Sequence, residues 1–289
     1  YKVEKREYLK RMKAINDLLD RNNVDVFVSN MFTQHCTWWD MLTVKSHPSR
    51  PAFVLHVHSF TCLPYGLQGC EADSLQYIYR LCDGIVTLSV TDEMYTQIYN
   101  KKAKCIGNPF TFNVNEIKIS NYVPHRIVWV ARIDGGKRPL DLIPVMKLVT
   151  QEISDAKLVI VGKGDEKLEA ELRKLIKENH LETNIECAGF TMNVGRYYSE
   201  ASLFVSTSSS EGYGLTFYEA QAYGLPIVCY EMPWLEVEES GAGVVSVPQE
   251  NVVLMAQAII DILKDSDKVK KLGAAGRKHI EEVSSIDIG

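Results

Sequence analysis

Two glutamates with seven residues between them, Glu211 and Glu219, bracket the stretch EGYGLTFYE, which follows an apolar run at 203–206 and leads into a helical pattern ending at Gly224. Carboxylates accept hydrogen bonds and so suit hydroxyl groups. Gly212 and Gly214 let the backbone, with Tyr213 between them, pass close to a ligand, and the amides around Leu215 and Thr216 open a helix whose dipole is positive at that end. Such a turn binds anions, phosphate above all. Carboxylates beside a phosphate site suggest a polyhydroxylated group joined to phosphates. The plainer alternative makes Glu211 a solvated loop acid and Glu219 an exposed helix residue, but the glycines and the strand–turn–helix setting weigh against it. A second cluster agrees. The apolar run 127–131 continues into RIDGGKRPLDL over 132–142, delivering Arg132 and Lys137 from a glycine-containing turn. An arginine forks onto phosphate oxygens and a lysine adds a point charge, although a solvated basic loop has the same composition.

Other candidates are less selective. VGKGD at 161–165 begins like a dinucleotide fingerprint, yet Lys167 occupies the position of the third glycine, so no nicotinamide site is expected and the turn reads as local packing and cleft lining. Phe190 and Thr191 end the segment AGFT, either as ligand contacts or as a buried strand end. His56 and His58 share one face at the end of the run 52–56. No third ligand stands at a metal-binding spacing, so neither metal nor cofactor is expected.

The elements that must position these groups alternate. Helical spacing over Tyr8, Met12, Ile15 and Leu19 leads to a strand at 24–28. Strands at 52–56, 84–88 and 103–106 follow, with helices at 73–82 and at 91–99, the latter capped by Thr91. Residues 108–125, with Pro109, Pro124 and four asparagines, read as a linker, which places domains at 1–123 and 124–289. Beyond it, strands at 127–131, 157–161, 184–188, 203–206, 226–229 and 244–247 alternate with helices near 139–151, 166–179, 194–201, 215–223, 232–239, 251–263 and 266–282. Alternation with continuous apolar strands predicts two doubly wound α/β domains facing a cleft, with ligands beyond the carboxyl ends of the strands.

Composition sets the bounds. The 289 residues allow two domains at about 150 residues each. A net charge of −5 argues against a nucleic-acid partner, which needs a concentrated basic footprint. The seven cysteines, at 36, 62, 70, 82, 105, 187 and 229, read as buried thiols of a reducing compartment, hence a cytoplasmic protein. The opening helix carries Lys2, Lys5, Arg6, Lys10, Arg11 and Lys13 against Glu4 and Glu7, either a solvated face or one that rests on anionic lipid at the inner face of the membrane. A chain that opens at Tyr1 without methionine reads as a piece of a longer protein.

The Glu211 to Glu219 stretch, followed by GLPIV at 224–228, resembles the Glu-x7-Glu motif of retaining GT-B glycosyltransferases of family 4. The resemblance covers 126–246 and extends over 84–110, including the turn at Asn108 and Pro109. It implies that Glu211 touches hydroxyls of a donor sugar, that Glu219 binds the nucleotide ribose, and that the amides of 212–216 hold diphosphate and sugar. Arg132 and Lys137 match the family's diphosphate-binding turn, although Ala131 stands where glycine is usual. Phe190 and Thr191 match the segment beside the base, and His58 matches a histidine that approaches the donor sugar. The implied reaction moves a sugar from a nucleotide-diphosphate donor, a UDP-sugar, to a saccharide or lipid-linked saccharide acceptor, with retention. An α-glucan synthase or epimerase on the same fold, or a nucleotide-binding module without transfer, would carry many of the same residues.

Overall fold

Strands and helices alternate throughout the computed structural model, which describes residues 4–30, 34–58 and 70–285. Two units result, Tyr1–Asn108 and Pro109–Gly289.

In the first unit, β1 (Val26–Asn30), β2 (Ala52–His56), β3 (Gly84–Thr87) and β4 (Ala103–Cys105) form a parallel sheet in sequence order. Alternate residues Phe53 and Leu55 of β2 are buried, and they share a core with Ile15 and Leu19 of α1 (Glu4–Arg21) and Ile78 of α3 (Cys70–Leu81). An unpredicted helix, α2 (Gln34–Ser46), adds Met41 and Val44 to that core. Its apolar residues Trp38, Trp39, Met41, Leu42 and Val44 are spread around the axis and give no single stripe to read. Buried Asp40 fixes it to α1 through a two-pronged bond from Arg11, at 2.6 and 2.7 Å. The next helix, α4 (Val90–Gln97), is capped by Ser89 rather than Thr91. Ser89 has an extended backbone and its hydroxyl accepts the Asp92 N–H at 3.1 Å.

The second unit holds six parallel strands, β5 (Arg126–Val130), β6 (Lys157–Val161), β7 (Ile185–Gly189), β8 (Leu203–Ser206), β9 (Ile227–Tyr230) and β10 (Val244–Val247), in the order β10-β9-β8-β5-β6-β7. Strands β8 and β9 are buried along their whole length, as expected of strands covered on both faces. Leu203 and Val205 face a core with α5 (Leu142–Glu152) and α10 (Val252–Leu263), while Phe204 meets Phe217 of α8 (Leu215–Ala222) edge-on at 5.7 Å. The helix expected at 139–151 starts as a 3-10 turn, Pro139–Asp141, preceded by Arg138 in the left-handed conformation at φ 46°. Three other helices run Glu166–Glu178 (α6), Gly195–Tyr198 (α7) and Glu236–Glu239 (α9), the last two shorter than the predicted 194–201 and 232–239. The strand order reverses between β5 and β8, the point at which ligands bind in open α/β sheets.

The division falls at 108/109, so the predicted linker groups with the second unit. Ser120 Oγ donates to the Ala201 carbonyl at 2.5 Å and Tyr122 OH to the Gly224 carbonyl at 2.8 Å. Arg277 of α11 (Ser266–Ser284) reaches the carbonyls of Val114 and Ile117 at 2.8 and 3.0 Å. Such bonds leave no period in the sequence. On the same helix, a Cβ at Gly273 would lie 1.9 Å from the Gly224 carbonyl oxygen. Gly273→Ala is therefore expected to cost about 2–3 kcal/mol, seen in calorimetry as a Tm lower by roughly 5–10 °C. Gly135→Ala, with nothing within 4 Å of the new methyl, is the control and should leave Tm nearly unchanged.

Of the cysteines, Cys82 and Cys229 are buried, and burial pushes the Cys82 thiol up to about 12. Cys105 and Cys187, predicted buried, are half-exposed. Cys62 lies outside the described residues.

Candidate active site

The loops leaving β5 and β8 are sewn together at the point of strand reversal. Asp134 Oδ1 accepts the N–H groups of Gly136 and Lys137 at 2.9 and 3.1 Å, closing the turn after β5. The Lys137 carbonyl accepts from Thr207 Oγ1 at 2.7 Å, and the Gly136 carbonyl accepts from the Ser209 N–H at 2.8 Å. Buried Trp129 anchors this seam by donating to Thr207 Oγ1 at 3.1 Å. The seam brings together two of the predicted residues, with Lys137 Nζ 2.5 Å from Glu211 Oε1. Ser208 Oγ donates to the same oxygen at 2.7 Å and Trp234 Nε1 to the Glu211 carbonyl at 2.9 Å. The two charged side chains remain 21% and 15% exposed, dry enough for strong electrostatics yet reachable by a ligand.

Helix α8 starts beside this pair. Gly214 caps it in the left-handed conformation at φ 74°, a shape that favours glycine. Phe217 N–H bonds to the Gly214 carbonyl at 2.9 Å, and the amides of Leu215 and Thr216, in the first turn, have no intrahelical acceptor. Gly212 and Tyr213 form the approach, the Tyr213 ring stacking on Tyr218 at 5.1 Å. Glu219 lies one turn into the helix, half-buried, and accepts from Tyr198 OH at 3.0 Å. Burial pushes its carboxyl up, and the bond from Tyr198 offsets this only in part. The folded chain thus binds the proton more tightly than the unfolded one, and stability falls as pH rises from the ordinary carboxylate range through the raised value. Glu219→Gln, which keeps an acceptor for Tyr198, should raise Tm at pH 7, the gain shrinking as pH falls through the raised value and vanishing below about 4. Thermal unfolding across pH checks this.

Arg132 stands at the rim, 75% exposed, its Nε donating to Asp134 at 2.6 Å. Burial raises the Asp134 carboxyl, but the Arg132 bond and the two backbone donors outweigh it and hold it below the usual range. Arg132 also lines a cavity of about 390 Å³ with Val130, Ala131, Gly162, Phe190 and Thr191. Gly162 and Gly164 pack as predicted, since a Cβ on either would lie 1.9 or 2.1 Å from the carbonyl oxygen of Ala131 or Ile133.

His58 belongs to the first unit. Its Nε2 is 3.0 Å from Asn30 Oδ1, and its ring lies 4.0 Å from that of His56. Among the described residues, no group of three or more His, Cys, Asp or Glu is placed to hold a metal ion, and no helix is long and apolar enough to cross a membrane. Lys2 of the basic opening run lies outside the described residues.

Sequence reasoning missed Asp134, Thr207, Ser208 and Trp234. Asp134 before two glycines carried a turn signal. The others act through contacts distant in sequence or at the strand exit, and nothing in their spacing marks them.

A sequence pattern for the family described as "Glycosyl transferases group 1" matches residues 116–279. Over 246 residues the chain is 30% identical to the "Poly(glycerol-phosphate) alpha-glucosyltransferase" of Bacillus subtilis (strain 168), covering 83% of this chain and 36% of that one. A structure of a Staphylococcus aureus TarM mutant in complex with Fondaparinux, alpha-GlcNAc-glycerol and UDP superposes with a TM-score of 0.79 at 18% identity, over 95% of this chain and 56% of that one. Anabaena HepE in complex with UDP and glucose gives a TM-score of 0.74 at 16% identity, over 95% and 76%. The chain spans little more than a third of the length of the Bacillus relative, at 36%.

Proposed function

The chain belongs to the glycosyl transferases group 1 family, with a GT-B class of fold, and on that premise we propose that it transfers a sugar from a UDP-sugar to a polysaccharide or lipid-linked oligosaccharide acceptor with retention at the anomeric carbon. The observation that carries this reading is the meeting of Lys137 and Glu211, 2.5 Å apart, at the point of strand reversal beside the first turn of α8. Two neighbours solved with UDP support the nucleotide, and the Bacillus relative's name supports a polymeric acceptor.

In this reading Lys137, Arg132 and the amides of Leu215 and Thr216 surround the diphosphate. As the bond from the anomeric carbon to the β-phosphate oxygen breaks, charge grows on that phosphate where donors already point. The acceptor hydroxyl forms the new bond on the same face, and its proton passes to the leaving phosphate, so neither glutamate acts as nucleophile. Glu211 accepts from donor-sugar hydroxyls and Glu219 from the ribose. Phe190 and Thr191 flank the base, and His58 contacts the donor sugar. We assign the donor to the second unit and the acceptor to the first.

Calorimetry with UDP, ADP and GDP, followed by product analysis with a panel of UDP-sugars, tests the reading. It predicts UDP binding and an axial anomeric product that persists in EDTA. Absence of binding by all three nucleotides, an inverted product, or activity lost in EDTA and restored by a divalent ion would overturn the corresponding part.

A further inference from the structure

The cavity beside Arg132 sits at the carboxyl ends of β5, β6 and β7, and its floor is made of Val130, Ala131, Val161 and Gly162. The floor's backbone donors are already used. Ala131 N–H bonds to the Val161 carbonyl at 3.2 Å and Gly162 N–H to the Gly189 carbonyl at 2.9 Å. Discrimination by hydrogen bonding therefore falls to the rim. There Arg132 Nε is engaged by Asp134 at 2.6 Å, and Thr191 Oγ1 accepts the Asn193 N–H at 3.1 Å. Phe190 is 64% exposed and offers an aromatic face, which stacks on any base without regard to its substituents. Lys163 lines the same cavity with its Nζ 6.0 Å from the centre of the Phe190 ring, and it makes no ion pair among the described residues. An ammonium group has three donors and no acceptor. It is therefore matched to a carbonyl on the edge of a base and mismatched to an exocyclic amino group.

We infer that Lys163 is a specificity-determining residue that selects a pyrimidine with a carbonyl at position 4 over one with an amino group there, a proposal that rests on the nucleotide reading above. Phe190 supplies affinity that is blind to the base, and Lys163 supplies the choice. No sequence signal marks Lys163, because it sits inside a turn whose glycines are explained by packing.

UDP and CDP differ at position 4 and its ring neighbour and share the rest of their structure, so titration of each into the whole chain isolates the effect. The wild type should bind UDP about tenfold more tightly than CDP, the size of one charge-assisted hydrogen bond. Lys163→Met, which keeps the length of the stem, should bring the two affinities within about twofold of each other by weakening UDP, with Tm unchanged. Phe190→Ala should weaken both nucleotides alike, by about tenfold or more, and leave their ratio intact. A wild type without preference, or a ratio that survives Lys163→Met while UDP still binds, overturns the role of Lys163 and leaves the nucleotide site standing. Binding of neither nucleotide to the wild type overturns both.

Discussion

Lys137→Ala is expected to lower sugar transfer by about 10²–10³-fold, the usual loss when one preorganised donor to a developing charge is removed. The lysine is held at the seam by its own backbone, through its carbonyl to Thr207 and its N–H to Asp134, so its ammonium is placed without a search. Deleting the side chain leaves that backbone frame in place. Glu211 loses its 2.5 Å partner but keeps the hydrogen bond from Ser208 at 2.7 Å, so the fold should survive, with Tm lowered only modestly. Because the phosphate is present in UDP itself, affinity for UDP should also fall, by about tenfold or more. Steady-state kinetics together with UDP titration separates this from a general loss of structure: unchanged UDP affinity would remove Lys137 from the diphosphate site.

Glu211→Ala should abolish transfer to a similar degree, about 10²-fold or more, for a different reason. Its carboxylate is assigned to sugar hydroxyls, which UDP lacks. Affinity for UDP should therefore stay within about threefold of wild type, while the extra affinity of a UDP-sugar over UDP disappears. Glu211→Gln keeps one acceptor oxygen and should recover part of the loss. Full activity in Glu211→Ala, or equal weakening of UDP and UDP-sugar, would contradict the assigned role.

The second unit was largely legible because its strands are continuous apolar runs and its glycines sit where the chain must turn or pass close. Strands Lys157–Val161, Leu203–Ser206 and Val244–Val247 fall where their apolar runs predicted them. Gly214 marks the start of α8 through its left-handed backbone, which the pattern EGYGL announces. The seam was invisible for the opposite reason. Thr207 and Ser209 are small polar residues whose partners lie 70 and 73 positions away, and no local rule connects them. Helix α2 escaped because a helix apolar on several sides has no period to detect. The cap of α4 was displaced by two residues because Ser89 and Thr91 are both good capping types, and only the backbone angles choose between them. The segment 108–125 begins where the two units divide and groups with the second, because prolines and asparagines report a lack of regular structure, not a lack of contacts. Arg277, more than 150 residues away in sequence, holds that segment down at |i−j| of 160 and 163.

The most direct test of the account is calorimetric titration of UDP into the wild-type chain and into Lys137→Ala and Arg132→Ala. Single-site binding by the wild type, weakened about tenfold or more in each variant, is the predicted result. No binding to the wild type, or equal affinity in all three proteins, contradicts a diphosphate site at the joined loops of β5 and β8.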